Sequence, residues 1–413
     1  MPRSTHISAS LYRPKKSYIQ PSLSKISQQR DDTVDYDIKL TDDSLEMRVD
    51  TERMEFNYIW LRDHCRCDAC LRSSNMQRLI NPIDIDPNIV PDQVSITSDD
   101  KKELHITWPD GHSTCYQIDW LGQSYRRSTQ RQEDKNRIFW DRHTLEASLP
   151  PAVEFEKYME SEEGVKCLLQ NLHKFGIAFM SGVPKTRAVT RAIGERLNSP
   201  MKDTIYGEIE FFPELAKKLD DHSFSNGYLP FHSDFASHYD PPGYLMLHYL
   251  KQSEVGGESI FSDALRAARI LRDSHPEHYE ALATLPVAFH KIEKGIYVRN
   301  ATTVFDVRDS NHDPVIVRSS NDDRSVLTLP APDAKRWYAA WRQFWQIVTD
   351  PNSIYTVKGM PGRMIFVDNW RLAHGRLAYE GTRELEMFFW SKDRVGSKLR
   401  TTVDNVDDFA EEY

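Results

Sequence analysis

The sequence predicts a mainly β chain with flanking helices, in which a small amino-terminal β domain precedes a double-stranded β-helix, or jelly roll. Three observations predict it. From residue 224 onward about eight short strand-like runs follow one another: "GYLMLHYL", "ESIFSD", "LPVAFHKI", "GIYVRN", "PVIVRS", "SVLTL", "GRMIFVD" and "LEMFFW". Only two amphipathic helices interrupt them, around 263–285 and 332–349, and two sheets of such strands facing each other around a cavity make a jelly roll. Residues 35–125 carry a second strand set, separated from the first by a charged, polar segment over 126–150 that ends in a double proline and reads as a linker.

Taken in order, residues 1–34 stand apart. The first 30 hold six Lys or Arg, seven Ser and no Asp or Glu, the composition of a disordered basic tail and also of a mitochondrial transit peptide. Over 35–125 the runs "YDIKL", "SLEMRV", "VSITS", "ELHITW" and "CYQIDW" alternate apolar and polar residues, as half-buried antiparallel strands do. The domain over 151–413 opens with "VKCLLQNLHKFG", apolar at helical spacing and closed by Gly176. A strand, "IAFMSGV", and a helix, "RAVTRAIGERLN", follow before the strand-rich part.

Bulk properties exclude several function classes. A net charge of -9 and a pI near 5.9 argue against nucleic acid as the main partner, which needs a basic face. No run approaches the 18 or so apolar residues of a membrane span. The five cysteines are an odd set without a secretory leader pattern, which points to a reducing, intracellular location, cytoplasmic or mitochondrial.

Two constellations carry chemistry. In "LPFHSDFASHYDPPG", His232 and Asp234 lie two apart at a strand end. Two imidazoles and a carboxylate on one face of a metal form the facial triad of non-haem Fe(II) oxygenases, so a third ligand must come from elsewhere. In "GMPGRMIFVDNWRLAHGRLAYEGTR", His374 sits in a polar corner after an apolar strand, and Arg383 follows nine residues later. An arginine there suits the far carboxylate of an anionic co-substrate chelating the metal. On spacing alone, His374 reads equally well as a satisfied polar loop residue.

The second constellation is "WLRDHCRCDACLRSS", in which Cys65, Cys67 and Cys70 offer three thiolates to a tetrahedral zinc. The fourth ligand is open among His64, His105, His112 and Cys115. His64 is awkwardly close in sequence, and His112 lies in a turn from which it can point freely. Cys115 and Cys167 read as plain buried thiols.

The runs "FHSDFASHYDPPG", "GGESIFSD", "RNATTVFD" and "FVDNWRLAHGR" resemble the γ-butyrobetaine dioxygenase and trimethyllysine dioxygenase family of Fe(II)/2-oxoglutarate oxygenases, in the family's order, over about 55–395. The resemblance implies Fe(II) held by His232, Asp234 and His374. It implies 2-oxoglutarate bound through Arg383, with Ser259 of "GGES" beside it. It also names His112, in the "WPD-x-H" turn, as the fourth ligand of a structural zinc that staples the amino-terminal domain. The implied reaction hydroxylates γ-butyrobetaine or a closely related trimethylammonium substrate, in carnitine biosynthesis, with O2 consumed and 2-oxoglutarate converted to succinate.

For the substrate, the resemblance implies an aromatic surround from Tyr206, Phe224 and Phe389, with Phe211 as a fourth after a one-residue shift in the match, and polar contacts at Asp221 and Asn300. Arg299, beside Asn300, is placed in sequence to compensate for Asp221 or to bind an acid group itself. A cation is attracted to such ring faces. Asp221 stands where butyrobetaine oxygenases have Asn, and a carboxylate there repels a substrate carboxylate unless protonated or paired. The alternative is therefore the same oxidation on another amine or amino-acid-like molecule. A scaffold without catalysis, or a zinc hydrolase, leaves the iron residues and Arg383 without a role. The resemblance further implies a homodimer.

Overall fold

The structure is a computed structural model that describes residues 36–97, 102–129, 136–197, 200–215, 217–219, 221–293, 295–308 and 313–403. The expected basic tail over 1–34 lies outside them. The chain divides into two compact units, Met1–Thr129 and Gln130–Tyr413. The division falls inside the expected 126–150 linker, which is partly helical: one helix runs over Ile118–Thr129 and another over Arg142–Ser148.

In the first unit, Tyr36–Leu40, Ser44–Val49 and Glu52–Asn57 form one antiparallel meander. Gln93–Ile96, Glu103–Thr107 and Ser113–Gln117 form a second. Strand alternation sends Leu45 and Met47 of the first, and Leu104, Ile106 and Tyr116 of the second, into a single core with Trp108 and Leu61.

The second unit is built on two sheets. A six-stranded sheet runs in the order Ile209–Phe211, Glu384–Trp390, Tyr244–Lys251, Arg363–Asp368, Ile177–Ser181 and Val153–Glu154, and only the last pair is parallel. A four-stranded antiparallel sheet runs Leu229–His232, Leu372–Arg376, Ser259–Asp263 and Tyr355–Val357. Leu245, Leu247, Ile365, Leu385 and Met387 from the first sheet share a core with Phe261 and Leu372 from the second. These are the inner faces of a sandwich, as a jelly roll requires.

The outer faces are covered as well. Met246, Met364, Phe366 and Phe388 pack against Leu168 and Leu172 of the helix Glu162–Phe175. Ile260 and Ala373 pack against the helices Ala264–Ser274, Pro276–Thr284 and Ala331–Val348. Burial on both faces is why the central strands read as nearly continuous apolar runs rather than as alternating ones. The chain is thus strand-rich with flanking helices. No helix among the described residues is long and apolar enough to cross a membrane.

Two local differences from the sequence reading have physical causes. The helical pattern at 263–285 is two helices, because Pro276 opens a new first turn instead of continuing the old one. The run "SVLTL" is not a strand: Leu327 and Leu329 pack onto the helical core without joining a ladder.

A buried ion pair holds the second unit together. Arg371 donates to Asp263 at 2.7 and 3.3 Å, to the Lys174 carbonyl at 3.1 Å and to the Ile138 carbonyl. Asp263 also caps the helix Ala264–Ser274 and accepts from the Trp140 amide at 3.2 Å. Gly176 closes the helix Glu162–Phe175 with φ +73°, and a Cβ there would come within 2.9 Å of Arg371. Removing the arginine strands Asp263 as an unpaired buried charge. Arg371→Met is expected to cost about 3–5 kcal/mol, read by chemical unfolding; a loss below about 1 kcal/mol would contradict the role given to the pair.

Candidate active site

The strand Leu229–His232 pairs with Leu372–Arg376 through an irregular register that brings His232 directly opposite His374, with ring centroids 4.4 Å apart. After His232 the chain turns sharply at Phe235, whose φ is 56°. Asp234, within this turn, is held by its backbone. Asn369 Oδ1 accepts the Asp234 amide at 2.8 Å, and Asn369 Nδ2 donates to the Asp234 carbonyl at 3.1 Å and to the Pro242 carbonyl at 2.9 Å. Asp234 then lies 3.5 Å from His232 Nε2 and 3.3 Å from His374 Nε2.

The three donor atoms lie within 4.8 Å of one another. His232 Nδ1 faces the Pro230 carbonyl at 2.9 Å, which places the ring proton there and leaves Nε2 as a lone pair aimed inward. Asp234 Oδ2 is buried without a hydrogen-bond donor. Burial alone would raise the Asp234 carboxyl, but His374 and His232 more than reverse this and hold it well below the usual carboxylate range. Two imidazoles and one unprotected carboxylate oxygen facing a common point fit a divalent iron.

These residues open onto a cavity of about 350 Å³. Near the triad it is lined by Ser259, Arg376 and Arg383 among apolar residues such as Leu247 and Leu385. Ser259 Oγ lies 2.7 Å from the Tyr249 hydroxyl, and the Arg383 guanidinium stands over the Tyr249 ring at 5.4 Å. Arg376 spends its terminal nitrogens on the carbonyls of Ser223, Ser225 and Gly227, at 3.1, 2.6 and 2.9 Å. Burial, and then the neighbouring Arg383, push Arg376 down to about 10. Two buried guanidiniums so close together call for an anion, and with the terminal nitrogens of Arg376 already on carbonyls, Arg383 is the one placed to take it.

The other end of the cavity is aromatic and acidic. Tyr206 and Phe224 meet edge to face at 5.8 Å, and Phe212 meets Phe224 at 5.1 Å. Asp221 accepts from the Ser223 amide at 2.9 Å, the Ser223 hydroxyl and the Tyr206 hydroxyl at 3.3 Å, and it forms an ion pair with Lys291. Burial would raise the Asp221 carboxyl, but the hydrogen bonds from Lys291 and Ser223 bring it below its ordinary value. Lys291 also faces Asp323 at 3.9 Å. Burial lifts Asp323 to about 6 against the pull of Lys291, and burial with the nearby Asp234 lifts Glu210 to about 8.

Of the residues the sequence singles out, the cavity brings together His232, Asp234, His374, Ser259, Arg383, Tyr206, Asp221 and Phe224. Four lie elsewhere. Phe211 points out of the strand Ile209–Phe211 beneath the Arg187 guanidinium, at 4.1 Å, and Phe212 lines the cavity instead. Phe389 is fully buried behind Phe235, 5.4 Å away. Asn300 is buried and donates to the His238 carbonyl at 3.3 Å. Arg299 is exposed on the hairpin of Val287–Glu293 and Ile296–Thr302. The cation beside Asp221 is therefore Lys291, from the facing strand of that hairpin. Lys291 and Glu210 carried no sequence signal beyond their residue type, and Asn369 and Arg376 lie in the run "FVDNWRLAHGR" without a role marked by it.

The cysteine cluster is assembled by local turns. The helix Tyr58–Asp63 delivers Cys65, and the Cys70 and Leu71 amides fold back onto the Cys67 carbonyl, each at 2.9 Å. His112 follows Gly111, whose φ of +82° lets the "WPDG" turn close, and its Nε2 lies 3.1, 3.6 and 3.5 Å from the sulfurs of Cys65, Cys67 and Cys70. Arg62 braces this turn through Asp110 at 2.8 Å. Burial and the neighbouring Cys65 push the Cys70 thiol up to about 12, and a cation among the sulfurs would favour its thiolate.

Comparison with known proteins agrees with this geometry. Residues 142–388 match the family model "Taurine catabolism dioxygenase TauD, TfdA family", and residues 37–122 match "Gamma-butyrobetaine hydroxylase-like, N-terminal". The chain is 33% identical to the mitochondrial trimethyllysine dioxygenase of Bos taurus over 364 residues, 87% of this chain and 85% of that one. It is 29% identical to the trimethyllysine dioxygenase of Neurospora crassa over 83% of this chain and 79% of that one. It is 28% identical to the gamma-butyrobetaine dioxygenase of Homo sapiens over 87% and 94%. With a dioxygenase model spanning more than half of its length and a relative of this similarity along most of it, the chain belongs to the TauD, TfdA family of dioxygenases.

Proposed function

We propose that this protein is an Fe(II)- and 2-oxoglutarate-dependent dioxygenase that hydroxylates trimethyllysine or a close trimethylammonium analogue, a step of carnitine biosynthesis. The observation that carries the reading is the convergence of His232, Asp234 and His374 on one point of a cavity whose wall presents the buried Arg383. His232, Asp234 and His374 would hold the iron, which would supply the activation of dioxygen, one oxygen atom going to succinate as 2-oxoglutarate loses CO2 and the other to the substrate as a hydroxyl. The protein's residues do the rest. Arg383 takes the far carboxylate of 2-oxoglutarate as a bidentate pair, with Ser259 and Tyr249 beside it. Tyr206, Phe212 and Phe224 offer ring faces to a quaternary ammonium that sheds its water easily. The apolar walls keep the target C–H in a dry, fixed position.

The polar end favours trimethyllysine over γ-butyrobetaine. Away from its quaternary nitrogen, γ-butyrobetaine carries a carboxylate alone, whereas trimethyllysine carries an ammonium and a carboxylate. The Asp221–Lys291 pair sets an anion beside a cation, the complement of an amino-acid headgroup. Asp323, 3.9 Å from Lys291, adds acid, not base. The higher identity to trimethyllysine dioxygenases points the same way.

In the amino-terminal unit, Cys65, Cys67, Cys70 and His112 form a closed four-ligand set for structural zinc, with separations near the roughly 3.6 Å expected between sulfur and nitrogen around a tetrahedral zinc. The mitochondrial relatives and the acid-free first 30 residues support a mitochondrial location.

Four outcomes test these assignments. Succinate formation with Fe(II) and 2-oxoglutarate is expected to be stimulated more by trimethyllysine than by γ-butyrobetaine. Asp221→Asn is expected to lower kcat/KM for trimethyllysine about 10- to 100-fold and to narrow that preference, since a hydrogen bond to a charged group is worth about 1.5–3 kcal/mol. Equal stimulation by both substrates in the wild type would overturn the preference. Arg383→Lys keeps the charge but not the planar fork, so the KM for 2-oxoglutarate is expected to rise at least about tenfold while that of the amine holds. An unchanged 2-oxoglutarate KM would remove Arg383 from its role. Cys67→Ser is expected to lose one tightly held zinc per chain and to lower the melting temperature; retention of that zinc would refute the ligand set.

A further inference from the structure

We propose that the amino-terminal unit carries a second metal site, made by Glu103, His105 and Cys115 on the outward face of its second sheet, that binds zinc or a similarly borderline divalent cation. Strand parity places these residues together. Leu104, Ile106, Thr114 and Tyr116 are buried, so Glu103, His105 and Cys115 stand on the opposite face. The register sets His105 directly across from Cys115 and Glu103 across from Gln117.

The ligand atoms converge. His105 Nε2 lies 3.8 Å from Cys115 Sγ and 3.3 Å from Glu103 Oε2, and all three atoms lie within 4.8 Å of one another. Tetrahedral zinc, with bonds of about 2.3 Å to sulfur and 2.0–2.2 Å to nitrogen and oxygen, spaces its ligands roughly 3.3–3.6 Å apart. The same ring nitrogen faces both the thiol and the carboxylate. One proton on it serves only one of them, whereas a cation between the three serves all. Gln117 Nε2 donates to Glu103 Oε1 at 2.7 Å, which fixes the carboxylate and turns its other oxygen toward His105, as the outer-shell partner of a metal ligand does.

The donor set identifies the ion. A thiolate, an imidazole and a carboxylate favour zinc over calcium or magnesium, which want oxygen ligands throughout. Thiolate and carboxylate together neutralise its charge. Three protein ligands on an open sheet face leave the fourth position to water, so this metal exchanges readily. His105 and Cys115 thus belong not to the Cys65, Cys67, Cys70 and His112 cluster but to a separate set.

The test is zinc counting on the full-length chain by equilibrium dialysis against zinc chloride in the micromolar range, for wild type, His105→Ala, Cys115→Ser and Glu103→Gln. All three positions lie on a solvent-facing sheet surface, and circular dichroism and melting of the variants check that the fold is kept. His105→Ala and Cys115→Ser are each expected to bind one zinc fewer per chain than wild type and to retain the slowly exchanging zinc that resists brief chelation. Glu103→Gln is expected to weaken the exchangeable zinc. With cobalt in place of zinc, the thiolate charge-transfer absorption of that site disappears in Cys115→Ser. Equal zinc counts in wild type and variants, or loss of the slowly exchanging zinc in their place, would overturn the proposal.

Discussion

The catalytic half of this protein depends on one strand pairing. Leu229–His232 lies beside Leu372–Arg376, and the irregular register between them sets His232 against His374 across the ladder. Everything else in the site is referred to that pair. Asn369, just before the second strand, reaches back with both ends of its amide to the Asp234 backbone, so the carboxylate is aimed by a side chain that never touches the cavity contents. Arg371, two residues on, ties the same corner to Asp263 and to the carbonyls of Ile138 and Lys174. A single stretch, Asp368–Arg376, thus supplies a candidate ligand, a clamp and a structural anchor. A sub-ångström placement of three metal ligands requires such over-determination.

The cavity sorts charge along its length. Near the triad, Arg376 is consumed by backbone carbonyls while Arg383 is left to meet an anion. At the far end, Asp221, Lys291 and Asp323 alternate in sign, so that Asp221 has its own counter-charge. The aromatic rings lie beside this polar end. The proposed binding of co-substrate and substrate at opposite ends would be sorted by electrostatics, the guanidinium end suiting a dicarboxylate and the aromatic end a quaternary amine. In the amino-terminal unit three thiols, of which burial and the neighbouring Cys65 push Cys70 up to about 12, gather around one imidazole.

Much of this was legible in the sequence. His374, on a strand of the four-stranded sheet, and Arg383, just before a strand of the six-stranded one, took their roles from the family resemblance, whereas the His-x-Asp pair could be read because its short spacing survives folding at one strand end. The cysteine cluster could be read for the same reason. What could not be read arrives from separate elements or turns on strand parity. Lys291 comes from a hairpin 70 residues after Asp221. Phe211 and Phe212 are both aromatic, and only the end of the strand at Phe211 decides that the second faces the cavity. Phe389 has the right parity for the inner face, yet Phe235 covers it. The same limit applies to Glu103, His105 and Cys115, whose convergence is a matter of cross-strand register and not of motif.

The central claim is that His232, Asp234 and His374 hold iron while Arg383 holds 2-oxoglutarate against it. Anaerobic titration of the metal-free protein with Fe(II) and then 2-oxoglutarate tests it before any turnover. Chelation of the iron by the keto acid is predicted to give a visible metal-to-ligand charge-transfer absorption that saturates at one iron per chain and is abolished in His374→Ala. Absence of that absorption in the wild type, or its persistence undiminished in the variant, would contradict the account.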